Sequence, residues 1–209
     1  MGVGQENRRY APATLRNRDP ILRVLEQVLP SSGRVLEVGS GTGEHAVYFA
    51  PRLPHCIWQP SEPDPELCRS IQAWQTEFPA ANLRPPIPLD VRDPIWPVET
   101  PSPDPPLTAM VSINLIHISP WASCLGLMAG AGRILPPDGI LYLYGPFRCQ
   151  GEHTAPSNAQ FDASLRAENP EWGVRDLENV VEVAEQKGLI LKEVIPMPAN
   201  NLSVVFQRK

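Results

Sequence analysis

Apolar residues recur along most of the chain at two spacings, helical and strand-like, which alternate. Helical spacing predicts helices over residues 20–29, 44–50, 65–78, 121–135, 158–167 and 176–187. Short apolar runs bounded by turns predict strands over residues 34–38, 56–59, 87–90, 107–114, 140–144, 189–195 and 203–207. Because strands alternate with helices, the pattern predicts βαβ units and a mostly parallel sheet. The turn at 196–201 is too short for a crossover, so we expect the last strand to run antiparallel.

Residues that start or stop helices mark several of these boundaries. Asp19, directly before a proline, predicts the N-terminal cap of the first helix, and Gly188 predicts the end of the last one. The proline-rich residues 94–106 predict an irregular surface connection. We expect a single domain over residues 1–209, in which residues 1–19 are a candidate N-terminal lid.

Composition and charge narrow the classes of function. Of the 209 residues, 42% are hydrophobic and 20% are charged, as is ordinary for one globular domain. The net charge of −5 disfavours general attraction to nucleic acids or anionic membranes. The four cysteines are scattered and the histidines lack ligand spacing, so we expect reduced thiols and no metal site. Because we find neither an apolar signal core nor a run able to span a bilayer, we expect a cytoplasmic protein without membrane partners.

A glycine-rich turn, V-L-E-V-G-S-G-T-G at residues 35–43, joins the first predicted strand to the second predicted helix. Glycines let the backbone turn sharply and let a ligand approach without interference from Cβ. The three glycines and the serine between the first two are Gly39, Ser40, Gly41 and Gly43. The spacing G-x-G-x-G differs from the G-x-G-x-x-G of dinucleotide sites, and Glu37 stands two residues before it. This favours a ligand without a pyrophosphate, whose positive amino group Glu37 meets directly or through water; the alternative is simply a tight strand-to-helix connection.

Acidic residues also stand at the ends of the next two predicted strands. Glu62 follows the second strand, where a carboxylate can accept both hydroxyls of a ribose. Asp64 is a rival for this role, although the prolines on either side favour it as the cap of the next helix. Asp90 ends the third strand, where its side chain or the backbone of Val91 is placed to read the amino edge of adenine. One such acid alone could be a solvated cap, but acids at successive strand ends favour a nucleoside site.

These features together resemble the class I S-adenosylmethionine (SAM)-dependent methyltransferases, whose first motif places an acid before G-x-G-x-G. The resemblance implies SAM as the cofactor and a Rossmann-like fold with a seven-stranded, mostly parallel sheet and an antiparallel last strand. The residues assigned to cofactor binding are Glu37, Gly39, Ser40, Gly41, Gly43, Glu62, Asp90, Val91 and Asn114.

The rest of the chain is similar to the methyltransferase-like 26 family. The runs that carry this similarity are N-R-D-P-I-L (17–22), W-Q-P-S-E-P-D (58–64), N-L-I-H-I-S-P (114–120), Y-G-P-F (144–147), N-P-E-W-G-V-R-D (169–176) and M-P-A-N-N (197–201). The similarity covers nearly all of the chain and specifies no methyl acceptor.

Methyl transfer mainly requires alignment of nucleophile and methyl group, with a base only if the acceptor loses a proton. His117 is the candidate base, because imidazole titrates near neutrality; the alternative is a histidine hydrogen-bonded to backbone. Tyr144 either orients the acceptor or caps its strand, and Asn114 contacts the methionine part of the cofactor or the acceptor. Further candidates to face the acceptor are Arg148, His153, Asn200 and Asn201. The alternatives are solvated loop residues for the first two and ordinary turn residues for the two asparagines.

The leading hypothesis is a SAM-dependent methyltransferase acting on a small molecule or a side chain. The alternative is a catalytically weak SAM-binding sensor or scaffold protein, because no catalytic signature such as Asn-Pro-Pro-Tyr follows the fourth strand. An NAD-dependent oxidoreductase is disfavoured by the glycine spacing. A nucleic-acid acceptor is disfavoured by the charge.

Overall fold

The computed structural model describes residues 7–100 and 105–209. The helices in this part of the chain are α1 (Thr14–Val28), α2 (Glu44–Phe49), α3 (Pro65–Glu77), α4 (Trp121–Ile134), α5 (Pro156–Glu168) and α6 (Leu177–Gln186). The strands are β1 (Gly33–Val38), β2 (Cys56–Ser61), β3 (Leu107–Ile113), β4 (Ile140–Gly145), β5 (Phe147–Cys149), β6 (Glu152–His153), β7 (Arg175–Asp176), β8 (Leu189–Met197) and β9 (Asn201–Arg208). Short 3-10 helices cover Ala50–Arg52 and Pro198–Asn200.

The main sheet has the strand order β2-β1-β3-β4-β9-β8. The strands β2, β1, β3 and β4 pair in parallel, whereas β9 pairs antiparallel with both β4 and β8. Only the 3-10 turn Pro198–Asn200 connects β8 to β9, which is too short for a crossover. The predicted α/β fold, a mostly parallel sheet with an antiparallel last strand, is therefore confirmed.

The third predicted strand, residues 87–90, does not form. This segment meets β2 only at Ile87, through an isolated parallel bridge to Ser61, and a second such bridge joins the preceding Leu83 to Trp58. Prolines stand on both sides of Ile87, and a proline has no N–H with which to continue a ladder of hydrogen bonds. Among the described residues the main sheet therefore has six strands and not the predicted seven.

The hydrophobic core lies on both faces of the main sheet. Successive residues of a strand point to opposite faces, so Met110 and Leu141 join one core cluster while Val111 and Tyr142 join the other. All four are completely buried, at 0% exposure. Burial on both faces explains why the sequence of β3 is an almost unbroken apolar run.

The first helix begins earlier than predicted. The predicted cap Asp19 lies inside α1 and accepts a hydrogen bond from the Tyr48 hydroxyl, so the capping prediction is wrong. The helix instead starts at Thr14, whose N–H donates to the Ala11 carbonyl (3.0 Å). Burial of Thr14 and Asn17 against the rest of the protein extends the helix beyond the apolar pattern, despite the N–H missing at Pro20.

The chain before α1 is fastened to the helices beside it. The Arg9 N–H donates to Ser70 Oγ (2.9 Å), and Trp74 Nε1 donates to the Arg9 carbonyl (2.9 Å). Residues 1–6 of the predicted lid lie outside the described residues, and a lid movement of the remainder stays a prediction.

The proline-rich connection is irregular, as predicted, in the parts that are described; its residues 101–104 lie outside them. It is held by Trp96, which is 1% exposed and packs so closely on α4 that a Cβ at Gly130 would lie 2.2 Å from the ring. Among residues 7–100 and 105–209, no helix is long and apolar enough to cross a membrane.

Candidate functional site

Two cavities open at the carboxyl edge of the parallel strands, which is where open α/β sheets bind ligands. The first, the glycine-loop cavity, has a volume of about 310 Å³. It is lined by Val38, Gly39, Gly41, Glu62, Pro63, Leu67, Leu89, Asp90, Val91, Arg92, Ile113, Leu115, Ile118, Ser119, Pro120, Ser123 and Trp172. The second, the hairpin cavity, has a volume of about 490 Å³. It is lined by Ala13, Arg16, Asn17, Asn114, Tyr144, Pro146, Ser157, Asn158, Phe161, Pro198, Ala199, Asn200 and Asn201.

The three glycines of the loop after β1 all have positive φ but serve different purposes. Gly41 (φ 54°) lines the cavity, and a Cβ there would meet no atom within 4 Å, so the space beside it is open to a ligand. Gly39 also lines the cavity, against Leu115. At Gly43, by contrast, a Cβ would lie 2.8 Å from Ile71 Cα. Gly43 therefore permits α2 to pack on α3 and does not face the cavity.

Beneath the loop lie Glu37 and Ser40, which line neither cavity. The Ser40 hydroxyl donates to the Glu37 carbonyl (3.2 Å) and accepts from the Ser61 N–H (3.1 Å), which ties the loop to the end of β2. Glu37 is 2% exposed, and its Oε2 accepts from Trp58 Nε1 (2.7 Å). Burial raises the pKa of this carboxyl to about 7, although the hydrogen bond from Trp58 acts in the opposite direction.

Glu62 and Asp64, the two rivals after β2, have different surroundings. Glu62 lines the glycine-loop cavity, and its Oε2 accepts from the Gly41 N–H (2.9 Å). Burial raises the pKa of this carboxyl. Asp64 instead caps α3, since its Oδ1 accepts from the Glu66 N–H (2.7 Å), which confirms the cap. Of the two carboxylates, only that of Glu62 faces the cavity.

Asp90 and Val91 lie together on the far side of the same cavity. The Asp90 carboxylate accepts two bonds from Arg92 Nε (3.0 and 3.1 Å) and one from its Nη2 (2.5 Å), which lowers the pKa of Asp90. Val91 is buried, and its carbonyl accepts from Trp96 Nε1 (3.4 Å). Arg92 engages the Asp90 side chain and Trp96 engages the Val91 carbonyl, so both groups predicted to read adenine already have a hydrogen-bond partner.

Large apolar side chains complete the glycine-loop cavity, and the sequence reasoning missed them. They are Leu67, Leu89, Leu115, Ile118, Pro120 and Trp172. Trp172 belongs to the run N-P-E-W-G-V-R-D at residues 169–176, which carried a family resemblance but stands at the end of no main-sheet strand. The resemblance was the only signal that could have identified it.

Arg175, in the same run, holds the loop that follows β3. Its Nε donates to the Ile116 carbonyl (2.9 Å), and its Nη2 donates to the carbonyls of Ser119 (2.7 Å) and Glu171 (2.7 Å). Burial lowers the pKa of Arg175. The backbone N–H of Arg175 also donates to His117 Nδ1 (3.3 Å). Arg175 thus fixes the loop that lines one side of the cavity.

His117 is completely buried, at 0% exposure, and lines neither cavity. Its ring meets Phe147 edge-on (4.8 Å between centroids), and a Cβ at Gly145 would lie 2.6 Å from its Nε2. Nε2 has no hydrogen-bond partner among the described residues. Burial lowers the pKa of His117 to about 3, so the ring is neutral at physiological pH. The base role stays a prediction, and this position argues against it.

Tyr144 and Asn114, in contrast, line the hairpin cavity. The Tyr144 hydroxyl is hydrogen-bonded to Asn17, and burial raises its pKa. Asn17 Oδ1 in turn pairs with His45 Nε2 (2.9 Å), so two polar side chains position the hydroxyl. Asn114 has a positive φ of 62°, which asparagine tolerates better than most residues, and its N–H donates to the Tyr144 carbonyl (2.8 Å).

The remaining acceptor-facing candidates divide into two groups. Asn200 and Asn201 line the hairpin cavity. Arg148 pairs with Asp176 (2.5 Å), and His153 Nε2 lies 3.6 Å from an Asp162 oxygen, so both are engaged elsewhere and line neither cavity.

Comparison with known proteins places the chain in two ways. A family model described as "Protein of unknown function (DUF938)" matches residues 8–208. Among solved structures, an O-methyltransferase family protein from Burkholderia thailandensis has a TM-score of 0.77 at 14% identity, covering 94% of this chain and 57% of that one. An O-methyltransferase family 2 protein from Planctomyces limnophilus, in complex with apigenin, has a TM-score of 0.74 at 18% identity, covering 100% and 62%.

Human N-acetylserotonin methyltransferase, in complex with SAM, has a TM-score of 0.75 at 12% identity, covering 94% of this chain and 52% of that one. The chain therefore has the Rossmann-like fold of these methyltransferases. It spans between about half and three fifths of their length.

Proposed function

The chain belongs to the family described as protein of unknown function (DUF938), and within that family we propose that it is a SAM-dependent methyltransferase. Its acceptor in this proposal is a small molecule or a side chain. We also propose that the chain is related to the methyltransferase-like 26 family, because the six sequence runs are similar to that family.

The glycine-loop cavity carries the proposal, because its residues fit the parts of SAM. Open space at Gly41 lies beside the buried carboxylate of Glu62, which suits a sugar with two hydroxyls. Apolar side chains including Leu89 and Trp172 offer hydrophobic contact for a base, in the same lining as Val91. Glu37, buried beneath the loop and lining neither cavity, is assigned to the ammonium group from the sequence motif alone.

When bound, SAM supplies a methyl group that its sulfonium activates toward nucleophiles. The protein's part is to orient the acceptor and exclude water. Asn114 and Tyr144 are the residues that we assign to orienting the acceptor, since both line the hairpin cavity beside the end of β3. Two of the structures with this fold are described as complexes with SAM and with apigenin, a small molecule, which supports the proposal by analogy.

The test is calorimetric titration with SAM, S-adenosylhomocysteine (SAH) and NAD. We expect SAM and SAH to bind and NAD not to bind. Gly41→Val should abolish SAM binding, because the new side chain occupies the open space beside Glu62. A matched control is Gly151→Val: Gly151 also has a positive φ (80°) and open space, but lies in the turn between β5 and β6.

Unchanged SAM affinity in Gly41→Val would contradict the assignment of the cavity. An equal loss of SAM affinity in Gly151→Val would show that backbone strain, and not the filled cavity, causes the effect. With binding established, turnover of SAM to SAH distinguishes an enzyme from a SAM-binding sensor.

A further inference from the structure

The hairpin cavity lies directly beside the glycine-loop cavity. Asn114 lines the hairpin cavity, whereas its neighbours in sequence, Ile113 and Leu115, line the glycine-loop cavity. A molecule in the hairpin cavity therefore lies across the end of β3 from the proposed SAM site. Its volume of about 490 Å³ is in the range of small-molecule sites.

The charge of this cavity favours an anion. Among its described lining residues Arg16 is a cation and none is acidic, although the chain carries a net charge of −5. The Asn114 side-chain amide offers a hydrogen-bond donor to such an anion, whereas Asn158 already donates to Thr154 Oγ1 (3.0 Å) and to the Asn200 carbonyl (2.9 Å). A protonated amine would find no carboxylate partner among these residues.

The same lining offers no group that accepts a proton at neutral pH. It holds no described histidine, carboxylate, lysine or cysteine, and the Tyr144 hydroxyl remains protonated because burial raises its pKa. His117 is sealed behind Gly145 and Phe147. An alcohol would therefore have no described residue in the cavity to take its proton, whereas an acceptor that is already ionised needs none.

We propose that the methyl acceptor is a small organic acid, bound in the hairpin cavity beside Arg16 and methylated on its own carboxylate oxygen. The inference rests on the proposed function. A lone pair of the carboxylate oxygen forms the bond to the methyl carbon as the carbon–sulfur bond of SAM breaks, and the electron pair of that bond stays on sulfur. The products are a methyl ester and SAH, and no proton is released.

The first test measures anion binding with benzoate and its neutral analogue benzamide, titrated into the protein saturated with SAH. Benzoate should bind about tenfold more tightly than benzamide, and Arg16→Gln should weaken benzoate about fivefold and leave benzamide unchanged. The matched control is Arg23→Gln, which removes the same charge from an exposed position two turns along α1.

Equal binding of the two compounds, or no binding of benzoate, would overturn the proposal. So would a loss of SAH affinity in Arg16→Gln, because Arg16 would then serve the cofactor's own carboxylate. If SAH does not bind the unaltered protein, the proposed function itself fails, and the two failures are thereby distinguished.

The second test examines the product. The protein is incubated with methyl-labelled SAM in two separate reactions, one with the acidic and one with the neutral small molecules of a deproteinised cell extract. We expect label to be transferred only in the reaction with the acidic molecules. Mild alkali should then release this label as methanol, as a methyl ester requires. Label in an alkali-stable product, or no transfer although SAH binds, would overturn the proposal.

Discussion

Glu37 carries its carboxyl group beneath the glycine loop, with Trp58 as a hydrogen-bond donor and 2% of the residue exposed. Its pKa in the folded protein, about 7, lies above the ordinary value of 4.5, with burial the largest cause. Such a group contributes stability that is fully present below pH 4.5 and is lost as the pH rises through 7. Above pH 7 the fold therefore holds a buried charge, which a cationic ligand would compensate.

Replacing this carboxyl by a neutral amide should stabilise the protein at alkaline pH. Glu37→Gln keeps an oxygen to accept from Trp58, and we expect it to raise the free energy of unfolding at pH 8 by about 1–3 kcal/mol. At pH 5 the difference should fall below about 1 kcal/mol, since Glu37 is then protonated in the folded protein. Urea unfolding at both pH values measures this, with Glu26→Gln on the exposed side of α1 as the control. Destabilisation at pH 8 would contradict the buried-charge interpretation.

Glu62 and Asp64 stand two residues apart, but substituting each one tests a different role, ligand binding for Glu62 and helix capping for Asp64. Glu62→Ala should weaken SAM by about 1–3 kcal/mol, because the ribose hydroxyls lose the buried carboxylate that we propose as their acceptor. Asp64→Ala should leave SAM affinity unchanged and lower stability by about 1 kcal/mol, because α3 loses its cap. Calorimetry and thermal unfolding of both variants measure the two effects. If Asp64→Ala were instead the variant that weakens SAM binding, Asp64 and not Glu62 would be the residue that binds the ribose.

At the scale of elements, the loop after β3 depends on the segment that precedes α6. Arg175 donates to three carbonyls of these two segments, and the Gly173 N–H donates to the His117 carbonyl (2.9 Å). These segments, residues 114–120 and 169–176, are two of the runs that carry the similarity to the methyltransferase-like 26 family. Two runs that are distant in sequence thus bind each other in the fold.

Arg175→Lys tests this dependence without changing the charge. A lysine ammonium cannot reproduce the fixed fork of a guanidinium, so we expect stability to fall by about 2–3 kcal/mol and SAM affinity to fall with it. Arg133→Gln, which breaks the half-exposed pair with Glu99, should cost less than about 1 kcal/mol and leave binding unchanged. Chemical unfolding and titration of both variants give the comparison. Full SAM affinity in Arg175→Lys would show that the loop holds its shape without this residue.

Most helices and strands were predictable from apolar spacing, because that spacing records which face each element buries. The exceptions have local causes: prolines around Ile87 prevent a strand, and tertiary burial of Thr14 and Asn17 extends α1 past its expected cap. At the candidate site, Glu62 and the first two glycines of the loop after β1, which line the glycine-loop cavity, could be predicted because their chemistry follows a strand end. Trp172 could not, because its place depends on the docking of segments far apart in sequence.

At the scale of the whole molecule, the glycine-loop cavity is assembled from chain segments between β1 and the start of β7. The loop after β1, the start of α3, the residues before Trp96, the loop after β3 and the segment around Trp172 each contribute. A ligand that fills the cavity contacts all of them, and we expect it to stabilise them together through its higher affinity for the assembled state.

Hydrogen exchange in the presence of SAH should reveal this assembly. We expect slower exchange at residues 39–43, 89–92, 114–120 and 169–175 at once, with little change in β8, which lies at the far edge of the main sheet. Stability should rise with ligand concentration, by about 2.7 kcal/mol at a hundred times the dissociation constant. NAD at the same concentration serves as the control and should change neither quantity. Protection limited to the glycine loop would remove Trp172 from the site, whereas joint protection would show that a segment distant in sequence closes the cavity on its ligand.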